Sequence, residues 1–351
     1  MIKHSRSKGS GALRRMTIAL LAPAVLILGA CGSSSTDSST STAAAGSGGP
    51  SGKTAVLVTF GDNTPWGAAA NKGIVDGLEK NGIKMLATLP DPDDAVIQAK
   101  HMNQAIALKP DILLVAPDDA NAIVPQIKRA SAAGIKVIVF NSPAAAGASS
   151  SIISTVMANN TLLGTFAGET LVAGLQKAGY KSGNVMHITG TNSMTIVQQR
   201  IAAFNAVMAK HPEYKVVATE DSNWDPGKSG QIANSLLAKY KSSGGIQGAY
   251  GTADYMALGI VSAAKQAGVT AGTKPGNLVV VGSNCTGPGV QAVIDGILAG
   301  DATQVPQEQA DLLVNSVVDY FNGKTLAKLI QFTPVKITPE NAKDYLKTCT
   351  Y

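Results

Sequence analysis

The chain has 351 residues, of which 45% are hydrophobic and only 15% charged, with 37 glycines. That composition suits an α/β protein with buried parallel strands, and the length allows two domains of ordinary size. The formal charge of +6 is no sign of nucleic-acid binding, because five of the 29 basic residues fall within the first 15 positions and the remainder nearly balance the 23 acids.

The N-terminus carries Lys3, Arg6, Lys8, Arg14 and Arg15 without an acid, then an apolar run from Met16 to Leu28, then Gly29, Ala30 and Cys31. A basic flank, a short apolar core and a small-residue cleavage site make an export signal. The core is shorter than the roughly 20 residues a bilayer span needs. Leu28 to Cys31 resembles the lipobox of bacterial lipoproteins, which implies a signal peptide over 1–30 and lipid attachment to the membrane through Cys31. An ordinary cleaved signal or an uncleaved anchor is the alternative. Residues 31–53, rich in Ser, Thr and Gly and without apolar anchors, are expected to form a disordered tether. Gly52-Lys53-Thr54 imitates the end of a phosphate-binding loop, but position 47 is Ser and no strand precedes it, so nucleotide binding is rejected.

From residue 54 the pattern alternates. Strands are predicted over 54–60, 84–88, 111–116 and 136–140, with helices over 68–80, 95–108 and 120–133; Asp93 or Asp94 can cap the second helix. The alternation restarts with helix 160–178 and strand 184–189, then helix 195–210 and strand 214–219. Helix 227–240, strand 246–250, helix 256–267, strand 278–282 and helices 289–299 and 307–321 follow, and 330–337 is extended. Near-continuous apolar strands between helices predict doubly wound parallel sheets in two lobes. The loops at the C-terminal ends of the strands then line a crevice for a ligand. The histidines at 4, 101, 187 and 211 are scattered, so neither a zinc site nor a cofactor is expected. Cys285 and Cys349 can pair in an exported protein, but their spacing fixes no geometry.

The segments at the strand ends carry a resemblance. Asn63 to Trp66, Lys109 to Asp118, Ala133 to Val139, Arg200 to Phe204, Ala253 to Gly259, Val280 to Asn284 and Gly296 to Gln304 together resemble the sugar-type (type I) periplasmic binding proteins of ATP-driven importers. The resemblance implies a three-crossing hinge, with one lobe of 54–156 plus 305–332 and the other of 157–304 plus 333–351. It further implies an extracytoplasmic, monomeric protein that captures a small polar ligand, a sugar or sugar-like compound, and hands it to a membrane permease with its ATPase. A receptor lipoprotein for a sugar-like signal or a small oxygen-rich acid is the alternative. No histidine lies at the strand ends, and the sequence nominates no convincing pair of carboxylates for a glycosidase, which argues against an enzyme.

Carried over residue by residue, the resemblance places Asn63, Thr64 and Trp66 after the first strand, with the indole stacking on ligand. It adds Arg200 as a forked donor, Trp224 as a second aromatic, and Asp254 and Gln304 as polar contacts. Three further positions depart from ribose-like members. Asn141-Ser142 stands where Asp-Arg is common, and Asn159 and Asn284 stand where Asp is common. Exchanging carboxylates for amides removes negative charge from the crevice. That disfavours a cationic ligand, weakens the case for a plain pentose or hexose, and leaves room for a modified sugar, a polyol or an oxygen-rich acid.

Overall fold

A computed structural model describes residues 49–62 and 64–351. The expected signal, Cys31 and Asn63 lie outside the described residues. Six of the seven residues of the first strand, β1 (Thr54–Phe60), are buried, which marks it as interior to a sheet covered on both faces. Its side chains alternate between two cores. Leu57 packs with Ile74 and Leu78 of α1 (Pro65–Lys80) and Leu313 and Val317 of α9 (Pro306–Phe321). Val56 and Val58 pack with Met102 of α2 (Ala95–Ala107) and Ile127 of α3 (Val124–Ala132). The period of two along the strand therefore decides which helices cover which face.

The sheet has the all-parallel order β2-β1-β3-β4-β5-β11, from β2 (Lys84–Asp91), β3 (Ile112–Val115), β4 (Lys136–Phe140), β5 (Ser154–Ala158) and β11 (Leu329–Phe332). A second parallel sheet has the order β7-β6-β8-β9, from β6 (Gly183–Thr189), β7 (Tyr214–Asp221), β8 (Gly248–Gly251) and β9 (Val279–Val281). Helices α4 (Asn160–Lys177) and α5 (Thr195–Met208) cover one face through Leu171 and Phe204. Helices α6 (Pro226–Tyr240) and α7 (Asp254–Gln266) cover the other through Leu236 and Ile260. Helix α8 (Gly287–Ile294) follows β9, and the short strands β10 (Asp301–Ala302) and β12 (Lys336–Ile337) pair antiparallel.

The chain passes between the sheets three times: after β5, between β10 and α9, and between β11 and β12. These crossings lie side by side, with Asn159 N–H donating to Phe332 O and Thr303 N–H to Val335 O. Such a bundle of short connections is the geometry of a hinge.

Several expectations need correction. The pattern reading passed over β5, β10 and the terminal α10 (Ala342–Tyr345). The lobe boundary expected after 156 falls inside β5, which runs on to Ala158. The helix expected over 289–299 ends at Ile294, because Gly296 turns left-handed at φ 70° and Ile297 and Leu298 bond back to Ala292 O. Gly52 and Lys53, placed in the expected tether, are docked: Gly52 N–H donates to Gly82 O and Lys53 O accepts from Lys84 N–H, at the start of β2.

Cys285 and Cys349 are joined, with Cα atoms 5.2 Å apart and a separation of 64 positions in sequence. The bond ties α10 and the C-terminal tail to the loop after β9. Closing a loop of this length restricts the unfolded chain, so the double variant Cys285→Ser/Cys349→Ser is expected to lose about 4 kcal/mol. Urea unfolding midpoints of the variant and the oxidised parent measure the difference.

Candidate functional site

A cavity of about 50 Å³ lies between the two sheets, walled by residues that follow the C-terminal ends of strands from both. It is several times the space one water needs. The lobes meet across it: Ser193 Oγ donates to Asp118 O at 3.0 Å and Thr195 Oγ1 to Pro143 O at 3.2 Å. Of the residues expected from the sequence, Thr64, Trp66, Asn141, Arg200, Trp224, Asn284 and Gln304 line this cavity.

Arg200 organises one end. It sits on α5, which can approach α4 because a Cβ at Gly164 would come within 2.3 Å of Arg200 O. The guanidinium, 1% exposed, donates from Nε to Asn160 Oδ1 at 2.8 Å, and from Nη1 to Thr252 O at 2.9 Å and Asn284 Oδ1 at 3.0 Å. Nη2 donates to Gln304 Oε1. Four of its five N–H groups are thus held by protein, so the expected two-pronged grip on a ligand reduces to one remaining Nη2 hydrogen. Burial lowers the guanidinium below its ordinary pKa.

Both indoles reach the cavity, with different surroundings. Trp66 is buried against Phe60, ring centroids 5.3 Å apart, and its Nε1–H donates to Gln304 O, so the expected nitrogen donor is committed to the hinge. Trp224 follows β7 in a left-handed backbone conformation (φ 59°) and lies on Gly190, where a Cβ would meet the indole at 2.1 Å. Its ring is 5.9 Å from Arg200 Cζ, within cation–π range. Thr64 caps α1 by accepting from Gly67 N–H at 3.0 Å, and among the described residues its own O–H has no acceptor. Asn141 is left-handed (φ 58°), and its buried Oδ1 has no partner among the described residues.

Three expected residues do not face the cavity. Asp254 is wholly buried and turned toward α8, accepting from Thr286 N–H and Oγ1 and from Tyr255 N–H; burial raises its carboxyl to about 6. Asn159 caps α4 by accepting from Leu162 N–H, and its neighbour Asn160 is the residue that reaches Arg200. Ser142 is buried, its Oγ without a partner among the described residues, but it is not part of the wall.

Sequence reasoning missed Asp93 and Tyr255, which also line the cavity. Asp94 caps α2 through Val96 and Ile97 N–H, which releases Asp93, in a left-handed turn, toward the cleft. Carboxylate oxygens of Asp91, Asp93 and Asp118 lie within 4.8 Å of one another, a spacing that can hold a cation. Burial, and then the charge of Asp91, push Asp93 up to about 7. Asp118, buried beside Asp91, is held well above the ordinary carboxylate range. The acids were visible in Asp91-Pro92-Asp93-Asp94 and Pro117-Asp118-Asp119, but their convergence depends on β2 and β3 flanking β1.

Residues 54–325 match the family described as the periplasmic binding protein domain, and the chain belongs to it. It is 26% identical over 255 residues to the ribose import binding protein of Escherichia coli, covering 73% of this chain and 80% of that one. It is 29% identical over 255 residues to the D-ribose/D-allose-binding protein of Pseudomonas aeruginosa, covering 71% and 73%. Among solved structures it resembles a solute-binding protein of Actinobacillus succinogenes with bound D-allose, at a TM-score of 0.73 and 21% identity, covering 84% of this chain and all of the other.

Two variants test this geometry. Gly190→Ala must expel the Trp224 indole, and is expected to change tryptophan emission while leaving the fold intact by far-ultraviolet dichroism. Asp118 has a folded pKa above its unfolded value of 3.8, so its contribution is fully present below that value and is lost as pH rises. Asp118→Asn removes the penalty and is expected to stabilise the protein by about 1–2 kcal/mol at pH 8 and by much less near pH 4. Chemical denaturation at the two pH values checks it.

Proposed function

We propose that this member of the periplasmic binding protein family is an extracytoplasmic lipoprotein, tethered to the membrane through Cys31. It captures a small polar ligand, a sugar or sugar-like compound, between its lobes and delivers it to the permease and ATPase of an importer. Family membership makes it a solute-binding protein and not an enzyme. The observation that carries the reading is the cavity between the lobes, with Arg200 and two indoles on its walls. Flat rings suit the C–H faces of a sugar, and amide and guanidinium donors suit its oxygens. The names of the relatives support a sugar: ribose in Escherichia coli, and ribose or allose in Pseudomonas aeruginosa. The run of small polar residues after Cys31 supports a tether, and the basic flank with its short apolar core supports export.

We assign ligand contact to Thr64, Trp66, Asn141, Trp224, Asn284 and Gln304, with Arg200 giving its last Nη2 hydrogen. Asn63 is assigned to the same loop from the sequence. The cross-lobe bonds of Ser193 and Thr195 belong to the closed arrangement and break when the hinge opens.

Calorimetric titration against a panel of sugars, polyols and small acids, paired with X-ray scattering, tests the reading. One ligand per chain is expected, with a smaller radius of gyration when it is bound. A folded protein that binds no member of the panel would sink the proposal. Arg200→Ala is expected to cost about 2–5 kcal/mol of binding, the scale for removing one partner of a buried charged hydrogen bond. Trp224→Ala, which leaves the Arg200 hydrogen bonds in place, gives a second reading of the same wall should Arg200→Ala melt early.

A further inference from the structure

We infer that the Arg200 end of the cavity receives an anionic group, and that the ligand is a polyhydroxy acid such as an aldonate or a uronate. This rests on the solute-binding role proposed above and narrows its ligand class.

The first observation is an unneutralised charge. Arg200 is 1% exposed, yet all four of its hydrogen-bond partners are neutral: three side-chain amides and one backbone carbonyl. Among the described residues no carboxylate forms an ion pair with it. An ion buried without a countercharge is costly, and the open side of this one faces the cavity.

The second observation is the polarity of the amides. A guanidinium only donates, so the atoms that Asn284 and Gln304 turn toward it must be their oxygens. Their NH2 groups therefore face away from Arg200. Both residues line the cavity, and among the described residues neither amide nitrogen donates to another protein group. With the last Nη2 hydrogen, this end of the cavity carries three kinds of donor. A hydroxyl set there would accept these bonds but leave the charge uncompensated. A carboxylate accepts them and neutralises the charge.

The opposite wall has the reverse polarity. Asn141 is only 7% exposed, its Oδ1 has no partner among the described residues, and it lies on the same cavity as Asp93. Both offer acceptors to hydroxyl groups. A molecule with acid oxygens at one end and hydroxyls at the other satisfies both walls.

Titration of the purified protein with D-ribonate and D-galactonate beside D-ribose and D-galactose decides the matter. At least one acid is expected to bind tenfold or more tightly than its neutral counterpart. Asn284→Asp, which replaces a donor by a charged acceptor, is expected to weaken that acid at least tenfold. Tighter binding of a neutral sugar than of its acid by the parent protein would overturn the inference while leaving the solute-binding role standing. Binding of neither class by folded protein would overturn both. An affinity for the acid that survives Asn284→Asp also counts against the assigned end of the cavity.

Discussion

The buried guanidinium of Arg200 is the interaction on which the site depends, because it fixes the orientation of everything around it. Its hydrogens reach Asn160 at the start of α4, Thr252 after β8, Asn284 after β9 and Gln304 in the middle crossing. Each of those positions is otherwise a loop or a helix end, where backbone conformation is least determined by local sequence. A single planar group with donors on three nitrogens sets them relative to one another. The close approach of α4 and α5, possible only because Gly164 lacks a side chain there, brings that group under the sheet ends.

Around this centre the second sheet is braced from behind. Asp254 joins the starts of α7 and α8 by accepting from Tyr255 and Thr286, so its carboxylate supports the walls without entering the cavity. The disulfide begins at Cys285, adjacent in sequence to Asn284, and both residues hold positive φ angles, 59° at Cys285 and 92° at Asn284. Non-glycine residues adopt that region only when their surroundings demand it. A loop under such a demand, tied to the C-terminal tail, presents Asn284 to Arg200 in a constant orientation.

Much of the fold was legible because strand burial writes itself into composition. Val56, Leu57 and Val58, or Val279 to Val281, are apolar on both faces, and helices of the right length stand between such runs. The segments passed over were those whose stability is tertiary. β5 contains Ser154 and Thr155 and is held by pairing with β4 on one side and β11 on the other. β10 has two residues and exists through its pairing with β12. The candidate site was legible to within a residue or two, since strand ends can be read. Side-chain direction cannot: Asn159 and Asn160 have the same chemistry, and only helix capping decides that the first is a cap and the second a partner of Arg200. The same logic separates Asp93 from Asp94. The amide-for-carboxylate reading anticipated a loss of negative charge, yet Asp93, grouped with Asp91 and Asp118, returns acidity to the opposite wall.

The two walls therefore differ in how far they are prepared before a ligand arrives. The Arg200 cage draws its partners from the second sheet and from the crossing beside it, so it persists whatever the angle between the sheets. The facing wall has no comparable network: among the described residues its Asn141 Oδ1 is unpartnered, and so is the Oγ of Ser142, buried next to it in sequence. Unmet acceptors beside a cavity favour closure around a molecule that brings donors, since closing over nothing leaves them buried and unbonded. Trp66 joins the two walls, because its ring packs on Phe60 of the first sheet while its N–H holds Gln304 O at the crossing. A change of lobe angle at that crossing thus moves the indole and the Gln304 amide together, coupling the stacking surface to the donors at the other end of the cavity.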